Sequence, residues 1–565
     1  MKRTSLLLAA ALALQALPAA GGIPPGREVK NVILMISDGT SLSTLSLARW
    51  MQFYADSTRP KLNIDPYLCG TVRTSNSDAP IGDSAPTTSC YMTGQPSVSG
   101  FVATCPPSRP GADLFPVDTA RAYRPALTLL EAARLRRGAA TGLVVTCEFP
   151  HATPADCSAH SYDRNRYDWI VPQMASGGVD VLIGGGTSLL TAEAEAGLLR
   201  GGWSVLRDDL AGMRADTSRR MWALFGEKDM AYDLDRDTAS QPSLAEMTAT
   251  AISRLNRDPN GFFLMVEGSK VDWAAHDNDP AGLYSEFLAF DRAVGVALDF
   301  ARRDGHTAVV ITADHGNSGL SIGRRSCKGY DRLTKHQLFG PLSRMKRSAE
   351  GIARLLNTAP RSEAQDVFRK YAGITLTDEE LDALDHCEGY RQSPLPAAER
   401  KAGSRALYSS ELDGLVARIL TRRTCLAFTT DGHTGEDVFL AAYHPQGDRP
   451  TGMLLNTELA AYLASLYGFG PDSLRAMSDE FYAPHTEVFA GMNCRLMPAT
   501  DGRPGPTLIV TNPHKKDARL EIDAFSATVR CGRRGRSEMH MATPAVWVDK
   551  RQTFYVPASL SEALR

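Results

Sequence analysis

Short apolar runs that alternate with helical patterns are the feature of this chain that most constrains its fold. The runs are rich in Val and Ile, and they occupy residues 32–36, 141–146, 179–183, 262–266 and 308–312. Helical patterns separate them, for example at residues 127–136 and 244–255. Strands that alternate with helices in this way favour a doubly wound sheet. We therefore predict an α/β fold with three layers, α/β/α, around a large, mostly parallel central sheet.

Two later regions depart from this alternation. The first begins with a basic stretch and continues as helical patterns, including a capping box from Thr377 to Glu380. We interpret it as a mainly helical insertion. After residue 493 the pattern becomes β-like, which predicts a small C-terminal β module. We predict a core made of residues 23–320 and 425–492. The insertion covers residues 321–424, and the terminal module covers residues 493–565.

The first residues have the pattern of a secretory signal peptide. Lys2 and Arg3 precede an apolar run at residues 6–17, and small residues follow at 19–22. This order predicts a signal peptide at residues 1–22, and therefore a periplasmic or secreted protein. The apolar run is too short to span a bilayer, and no later segment is long and apolar enough to do so.

Charge and cysteine content narrow the function classes further. The formal net charge is −2, which does not indicate nucleic acid as a specific partner or binding to an acidic membrane surface. The 10 cysteines of an exported chain allow disulfides. No CxxC pair occurs, so a zinc ribbon or a thioredoxin-type site has no support. Cys327 and Cys387 flank a candidate loop, and we predict that they pair.

Asp272 and His276 are four residues apart, just after the apolar run at 262–266. Side chains at this spacing share one face of a helix, and a carboxylate with an imidazole can bind a divalent metal there. Because the run predicts a buried strand, the pair follows a strand's carboxyl end, where open α/β sheets place their active sites. A single pair of this kind is more often an ordinary surface pair, so the hypothesis depends on what accompanies it.

Similar groups occur in six segments, each at the end of a predicted strand or in the loop that follows. These segments contain Asp38; Asp83 and Ser84; His151, Thr153 and Arg164; Glu267, Asp272 and His276; Asp314 and His315; and His433. Each one alone has an ordinary explanation, such as a turn after a strand, a helix cap or a buried histidine. Together they supply the carboxylates and imidazoles of a metal site.

The order and spacing of these segments closely resemble those of the alkaline phosphatase family, in its bacterial, exported form with His at position 151. The resemblance covers about residues 30–320 and 425–470, and LIGGG at 182–186 and NTEL at 456–459 look like further family landmarks. It implies a homodimer that hydrolyses small phosphomonoester substrates to an alcohol and inorganic phosphate.

The resemblance also implies a role for each residue. Ser84 would be the catalytic nucleophile that becomes phosphorylated, and Arg164 would bind the phosphoryl oxygens. Asp83 would orient the nucleophile, and His151 would act near the phosphate through a metal-bound water. One departure is Trp273, which stands where some relatives carry a cation that touches phosphate.

By the same resemblance, each subunit would bind two Zn²⁺ and one Mg²⁺. The implied ligands are Asp272, His276 and His433 for one zinc; Asp38, Asp314 and His315 for the other; and Asp38, Thr153 and Glu267 for magnesium. Nitrogen and carboxylate ligands suit catalytic zinc, and oxygen ligands suit magnesium.

Three alternatives stay open at this point. A sulfatase of the same superfamily would need a Cys/Ser-x-Pro-x-Arg context, and residues 84–88 match the Ser and Pro but end in Thr88. A phosphodiesterase relative would not carry this spacing of Glu267, Asp272 and His276. A non-catalytic relative that binds metal or phosphate would have lost the nucleophile or a zinc ligand, and this chain keeps both.

Overall fold

The computed structural model describes residues 27–400, 411–500, 502–515, 518–532 and 537–564. The predicted signal peptide at residues 1–22 lies outside this part of the chain. Within the described residues, no helix is both long enough and apolar enough to cross a membrane.

The strands up to the insertion belong mainly to one large sheet. In chain order they are β1 (Asn31–Ser37), β2 (Leu68–Arg73), β3 (Ala140–Glu148), β4 (Val181–Gly185), β5 (Ser204–Arg207), β6 (Met221–Phe225), β7 (Phe262–Gly268), β8 (Thr307–Thr312), β9 (Gly316–Asn317) and β10 (Ser321–Ile322).

The strands after the insertion complete that sheet and build several small ones. They are β11 (Leu426–Ala427), β12 (His433–Thr434), β13 (Val438–Tyr443), β14 (Gly452–Leu455), β15 (Ala483–Pro484), β16 (Asn493–Met497), β17 (Thr507–Thr511), β18 (Arg519–Asp523), β19 (Thr528–Cys531), β20 (Ser537–His540), β21 (Val546–Val548) and β22 (Thr553–Val556).

Ten strands form the central sheet, in the order β14-β2-β13-β8-β1-β7-β3-β4-β6-β5. Every pairing is parallel except those of β13, which runs antiparallel to both β8 and β2. All residues of β1, β7 and β8 are buried, as expected for strands covered on both faces. The predicted fold class is confirmed.

Helices cover this sheet. They are α1 (Leu42–Ala55), α2 (Ser84–Thr93), α3 (Leu129–Arg137), α4 (Ala152–Ser158), α5 (Tyr167–Ser176), α6 (Ala192–Arg200), α7 (Leu210–Ala215), α8 (Leu244–Leu255), α9 (Lys270–His276), α10 (Pro280–Asp304), α16 (Asn456–Ser465), α17 (Ser473–Phe481) and α18 (His485–Val488), with α11 to α15 in the insertion. The helices α1, α8 and α10 pack together along the sheet, whereas α2 packs against α3, α4 and α16.

The insertion between β10 and β11 is helical, as predicted from the sequence. Its helices are α11 (Lys335–Ser343), α12 (Ala349–Thr358), α13 (Ala364–Ala372), α14 (Asp378–His386) and α15 (Leu412–Arg422). The predicted capping box is present at the start of α14: Thr377 accepts from the Glu380 amide, and the Glu380 carboxylate accepts from the Thr377 amide. The insertion packs on the core through contacts of α11 with α1 and of α15 with α10.

A disulfide joins the two ends of this insertion, and it is not the predicted one. Cys327 bonds to Cys425, with 5.8 Å between their Cα atoms, instead of to Cys387. The short antiparallel pair of β10 and β11 brings the two ends of the insertion together, and the Gly323 amide donates to the Cys425 carbonyl at 2.9 Å. Cys387 lies at the end of α14 and is not part of this ladder. The pairing of Cys327 with Cys387 was therefore wrong.

The last part of the chain forms two antiparallel sheets. The first is a meander from β16 to β20, whose inward row consists of buried apolar residues at Leu508, Val510, Leu520, Ile522 and Val529. It contacts the core where Trp169 of α5 stacks on Phe525 at 5.3 Å. The second sheet joins β21 and β22 to β15, so it crosses the predicted boundary at residue 493. The domain boundaries themselves stay predictions.

Candidate active site

Three neighbouring strands deliver buried carboxylates to one edge of the central sheet. Asp38 directly follows β1, Glu267 lies near the end of β7, and Asp314 follows β8 by two residues. All three side chains are fully buried. Parallel strands end at the same edge of a sheet, so this convergence follows from the direction of the chain.

Helix α9 and the short strand β12 bring a second group to the same edge. His276 Nε2 lies 3.3 Å from Asp272 Oδ2, as expected from the four-residue spacing. His433 Nε2 lies 3.2 Å from His276 Nε2 and 3.8 Å from Asp272 Oδ1. Pairing of β12 with β9, which directly follows His315, holds His433 in this position.

The three histidines are oriented in the same way. Each directs its Nδ1 at a backbone carbonyl oxygen. The distance is 2.6 Å from His276 to Asp431, 3.1 Å from His315 to Gly316 and 2.9 Å from His433 to Gly82. Because a carbonyl can only accept a hydrogen bond, Nδ1 carries the hydrogen in each ring. In the neutral form of each ring the Nε2 lone pair therefore faces the carboxylates, which is the arrangement of histidines that bind metals.

His315 lies between the two predicted zinc sets. Its Nε2 is 3.5 Å from Asp38 Oδ1 and 3.4 Å from Asp314 Oδ2. A ligand atom of His315 also lies within 4.8 Å of those of Asp272 and His433, and the His315 and His433 rings stack at 3.7 Å. The two predicted sets are thus adjacent, and the structure brings all six side chains together.

A third group forms on the other side of Glu267. One ligand atom each of Cys147, His151 and Glu267 lie within 4.8 Å of one another, and the Thr153 hydroxyl is buried nearby in α4. The sequence predicted Thr153 and Glu267 here but missed Cys147. Its only sequence signal is its place four residues before His151 at a strand end. That signal is weak, because a strand cysteine is usually a small apolar residue of the core.

The predicted nucleophile lies beside His315 of this cluster. Ser84 is the first residue of α2, capped by Asp83, whose Oδ1 accepts from the Ser84 amide at 3.0 Å. Ser84 Oγ is 3.3 Å from His315 Nε2. Arg164 donates to Asp83 Oδ1 at 2.6 Å and to His151 Nε2 at 3.0 Å. The predicted nucleophile and the predicted phosphate-binding cation therefore share Asp83.

The electrostatics of the cluster are dominated by uncompensated negative charge. Burial raises the pKa of Asp38 well above its usual value, and the charges of Asp314, Asp272 and Glu267 raise it further. Burial and the charge of Asp314 raise the pKa of Glu267 to about 8. Carboxylates that repel one another in this way need nearby cations to stay ionised.

The pKa values of His276 and His151 are shifted in opposite directions. Burial acts against a charged His276, yet its hydrogen bond to Asp272 raises the pKa of His276 to about 9. Burial and then the charge of Arg164 lower the pKa of His151 to about 3. His151 is therefore neutral, which agrees with its Nε2 accepting from Arg164.

Several buried polar atoms of this cluster make no hydrogen bond within the described residues. They are both carboxylate oxygens of Asp38, Asp314 Oδ2, Glu267 Oε1, Thr153 Oγ1 and His151 Nδ1. Buried polar groups are almost always paired, and buried carboxylates are paired or bind metals. These atoms and the convergent histidine nitrogens fit a set of divalent cations.

Gly39 shows how tightly the backbone surrounds this cluster. Its φ is +59°, and a Cβ at this position would lie 2.2 Å from Asp272 Oδ1. The Gly39 amide also donates to Asp314 Oδ1 at 3.0 Å. Glycine is required here because only its backbone fits between the two carboxylates.

Trp273 lies beside the cluster, between a histidine and a buried cation. Its ring meets the His151 ring edge-on at 6.1 Å, and Lys270 Nζ lies 4.9 Å from its centroid. Lys270 is fully buried and donates to Asp229 Oδ1 at 2.7 Å. A cation is thus present near Trp273, but it is already paired with a carboxylate.

Comparison with known proteins agrees with this geometry. The sequence profile described as alkaline phosphatase matches residues 29–468. Alkaline phosphatase 3 of Bacillus subtilis is 33% identical over 449 residues, which cover 77% of this chain and 88% of that protein. Streptomycin-6-phosphate phosphatase of Streptomyces griseus is 31% identical, over 56% of this chain and 81% of that protein. The crystal structure of a cold-active alkaline phosphatase from Shewanella sp. matches with a TM-score of 0.65 and 26% identity, over 77% of this chain and 99% of that one. The chain therefore belongs to the alkaline phosphatase family of phosphoric monoester hydrolases, a metal-dependent family.

Proposed function

We propose that this enzyme hydrolyses small phosphate monoesters through a phosphoserine at Ser84, with two zinc ions and one magnesium ion per subunit. The observation that carries the proposal is the position of Ser84. Its hydroxyl is 3.3 Å from His315 Nε2, at the N-terminus of a ten-residue helix, and His315 lies beside oxygens of Asp38 and Asp314 that make no hydrogen bond within the described residues.

The residues around Ser84 each have a distinct task. His276, His433 and Asp272 would hold one zinc, and Asp38, Asp314 and His315 the other, with Asp38, Thr153 and Glu267 for magnesium. When bound, these cations lower the pKa of the attacking hydroxyl and of water, and neutralise charge on the phosphoryl oxygens. The N-terminus of α2 favours negative charge at Ser84 in the same place.

Arg164 binds and orients the substrate. Its planar guanidinium can donate two parallel hydrogen bonds to phosphoryl oxygens, which a lysine cannot do. Asp83 and His151 hold it before substrate arrives, at 2.6 and 3.0 Å. Neutral His151 takes one of these hydrogen bonds without adding charge, so Asp83 is the one charged partner of these two.

A panel of three substrates tests the reaction class. We expect the enzyme to release 4-nitrophenol from 4-nitrophenyl phosphate far faster than from 4-nitrophenyl sulfate or bis(4-nitrophenyl) phosphate. Preference for the sulfate would indicate a sulfatase, and preference for the bis-ester a phosphodiesterase. A protein that turned over none of the three with metals present would be a binding protein, and the proposal would be wrong.

Replacement of Arg164 by lysine should weaken phosphate binding. Losing a hydrogen bond to a charged group costs about 1.5–3 kcal/mol, which corresponds to a fall in kcat/KM of about 10–100-fold. Inhibition by inorganic phosphate should weaken in parallel. The matched control is Arg166→Lys, because Arg166 pairs with Asp168 at 2.7 Å, lies over Trp169 and stands outside the cluster. Equal losses in the two variants would contradict the assignment of Arg164.

Removal of divalent cations should abolish activity reversibly. A chelator would leave the buried carboxylates of Asp38, Glu267 and Asp314 without cations, and we expect the melting temperature to fall as well, since ligands that bind only the folded state stabilise it. Zinc with magnesium should restore both activity and stability, as measured by turnover and circular dichroism. Full recovery with calcium alone would contradict the proposed ligands.

We also propose that the enzyme is exported and acts as a homodimer on substrates outside the cytoplasm. The charged, apolar and small-residue pattern of residues 1–22 supports export, and family membership supports the dimer. N-terminal sequencing of protein recovered from the periplasm or medium tests the first. Light scattering of the purified protein tests the second.

A further inference from the structure

Cys147 places a sulfur atom in the third group of ligands. Its Sγ lies 3.6 Å from Glu267 Oε2, and its side chain is fully buried. A ligand atom of Cys147 lies within 4.8 Å of those of both Glu267 and His151. Among the described residues, no other cysteine belongs to a group that could bind a metal ion.

The unpartnered atoms around Cys147 form an incomplete coordination shell. Glu267 Oε1, Thr153 Oγ1 and His151 Nδ1 are buried and make no hydrogen bond within the described part of the chain. Glu267 and Thr153 are fully buried. The group therefore offers sulfur, nitrogen and oxygen ligands to one cation.

An irregularity in β3 sets the position of Cys147. The pairing of β3 with β4 shifts between Val144 and Glu148, so the end of β3 does not follow the regular alternation of the strand. The hydroxyl of Ser269 accepts from the amides of both Thr146 and Cys147, at 3.2 and 3.1 Å, which holds the irregular backbone in place. Bulges of this kind re-aim side chains next to active sites.

Cys157 is a nearby cysteine that lies outside the groups that could bind a metal ion. It is also fully buried, but its Sγ donates to the Thr153 carbonyl oxygen at 3.5 Å, within its own helix. Cys147 instead contacts a carboxylate that has a free oxygen. The two cysteines therefore form a matched pair for experiments.

We propose that Cys147 is an additional ligand of the third cation site and lets zinc compete with magnesium there. The inference rests on the proposed function, which gives this site to magnesium through Asp38, Thr153 and Glu267. Magnesium takes oxygen ligands only, whereas zinc binds thiolate, imidazole and carboxylate together. As the sulfur–zinc bond forms, the thiol proton passes to solvent.

Metal content of the whole protein tests the proposal. Apoprotein is loaded with zinc alone, or with zinc and magnesium together, and both metals are counted by plasma mass spectrometry. We expect the wild type to bind one zinc ion more per chain than Cys147→Ala. With both metals present, Cys147→Ala should contain magnesium at the third site with no zinc there, and the wild type should contain more zinc and less magnesium than this variant. Cys157→Ala should behave like the wild type. Equal zinc and magnesium contents in all three proteins would overturn the proposal.

Cobalt spectroscopy of the wild-type protein gives a second readout, which does not require any variant to fold. Wild-type protein loaded with cobalt(II) should show a sulfur-to-cobalt charge-transfer band in the near ultraviolet, and this band should be missing from Cys147→Ala and from Cys147→Ser. Absence of the band in the fully loaded wild type would refute the proposal by itself. Turnover of 4-nitrophenyl phosphate is measured on the same samples. A protein that shows the band without phosphatase activity would refute the proposed function but support the sulfur ligand.

Discussion

Replacement of Ser84 by alanine should lower kcat by about 10⁴-fold or more, because loss of a catalytic nucleophile removes the covalent pathway and leaves only binding and electrostatic effects. Within the described part of the chain, the hydroxyl has a hydrogen-bonding contact with His315 Nε2, at 3.3 Å. Its loss should therefore leave the metal content unchanged. No phosphoprotein should form when the variant is mixed with a phosphorus-labelled monoester and quenched in acid.

The control for this variant is another buried serine of the same region. Ser97→Ala removes a buried hydroxyl that makes no hydrogen bond within the described residues, so activity and phosphoprotein formation should stay at the wild-type level. Substantial turnover by Ser84→Ala with metals bound would mean that a different group, or a water molecule, attacks phosphorus directly. That result would refute the phosphoserine mechanism while leaving the family unchanged.

Replacement of Asp38 by asparagine should have the second largest effect. This carboxylate is predicted to bridge two cations, and both of its oxygens are buried without hydrogen-bond partners among the described residues. Asparagine keeps the shape but loses the charge and one acceptor. We expect less metal at both sites and a fall in kcat of about 10³-fold, the upper range for removal of one charge-stabilising group.

The same variant should be more stable than the wild type when both lack metal. Burial and the charges of Asp314, Asp272 and Glu267 raise the pKa of Asp38, which means that an ionised Asp38 destabilises the folded apoprotein at neutral pH. The charged carboxylate is disfavoured in the folded state, so the free energy of unfolding of the apoprotein at neutral pH should be higher in the variant.

Urea denaturation of both apoproteins measures this difference, and metal analysis measures the loss of binding. The matched control is Asp156→Asn, since Asp156 is an equally buried carboxylate that accepts from Ser89 Oγ and the Ala103 amide and lies outside the metal groups. Its metal content should be that of the wild type. An Asp38→Asn protein that retained all its cations would contradict the bridging role.

Much of the site's framework could be predicted because it depends on local chain direction. The runs that became β1, β3, β7 and β8 were apolar and short, and a polar residue such as Asp38 directly after such a run must emerge at the strand's carboxyl end. The four-residue spacing of Asp272 and His276 placed their side chains within 3.3 Å for the same kind of local reason. The assignment of particular ligands to particular metals stays a prediction.

Other features depended on contacts between distant parts of the chain. His433 reaches His276 across 157 residues of sequence, because β12 returns after the insertion to pair with β9. Spacing in the sequence carries no information about such a return. The family resemblance, not the residue pattern, led to His433.

The alternation of strands and helices and the carboxyl-end position of the acidic residues followed from the sequence by itself, since each depends on local periodicity or chain direction. Only the tertiary structure decided that Cys327 pairs with Cys425, that His315 stands between two ligand sets and that Cys147 contacts Glu267. The physical reason is that a disulfide, a shared ligand and a bulge in a strand all depend on which distant backbone segments pack side by side.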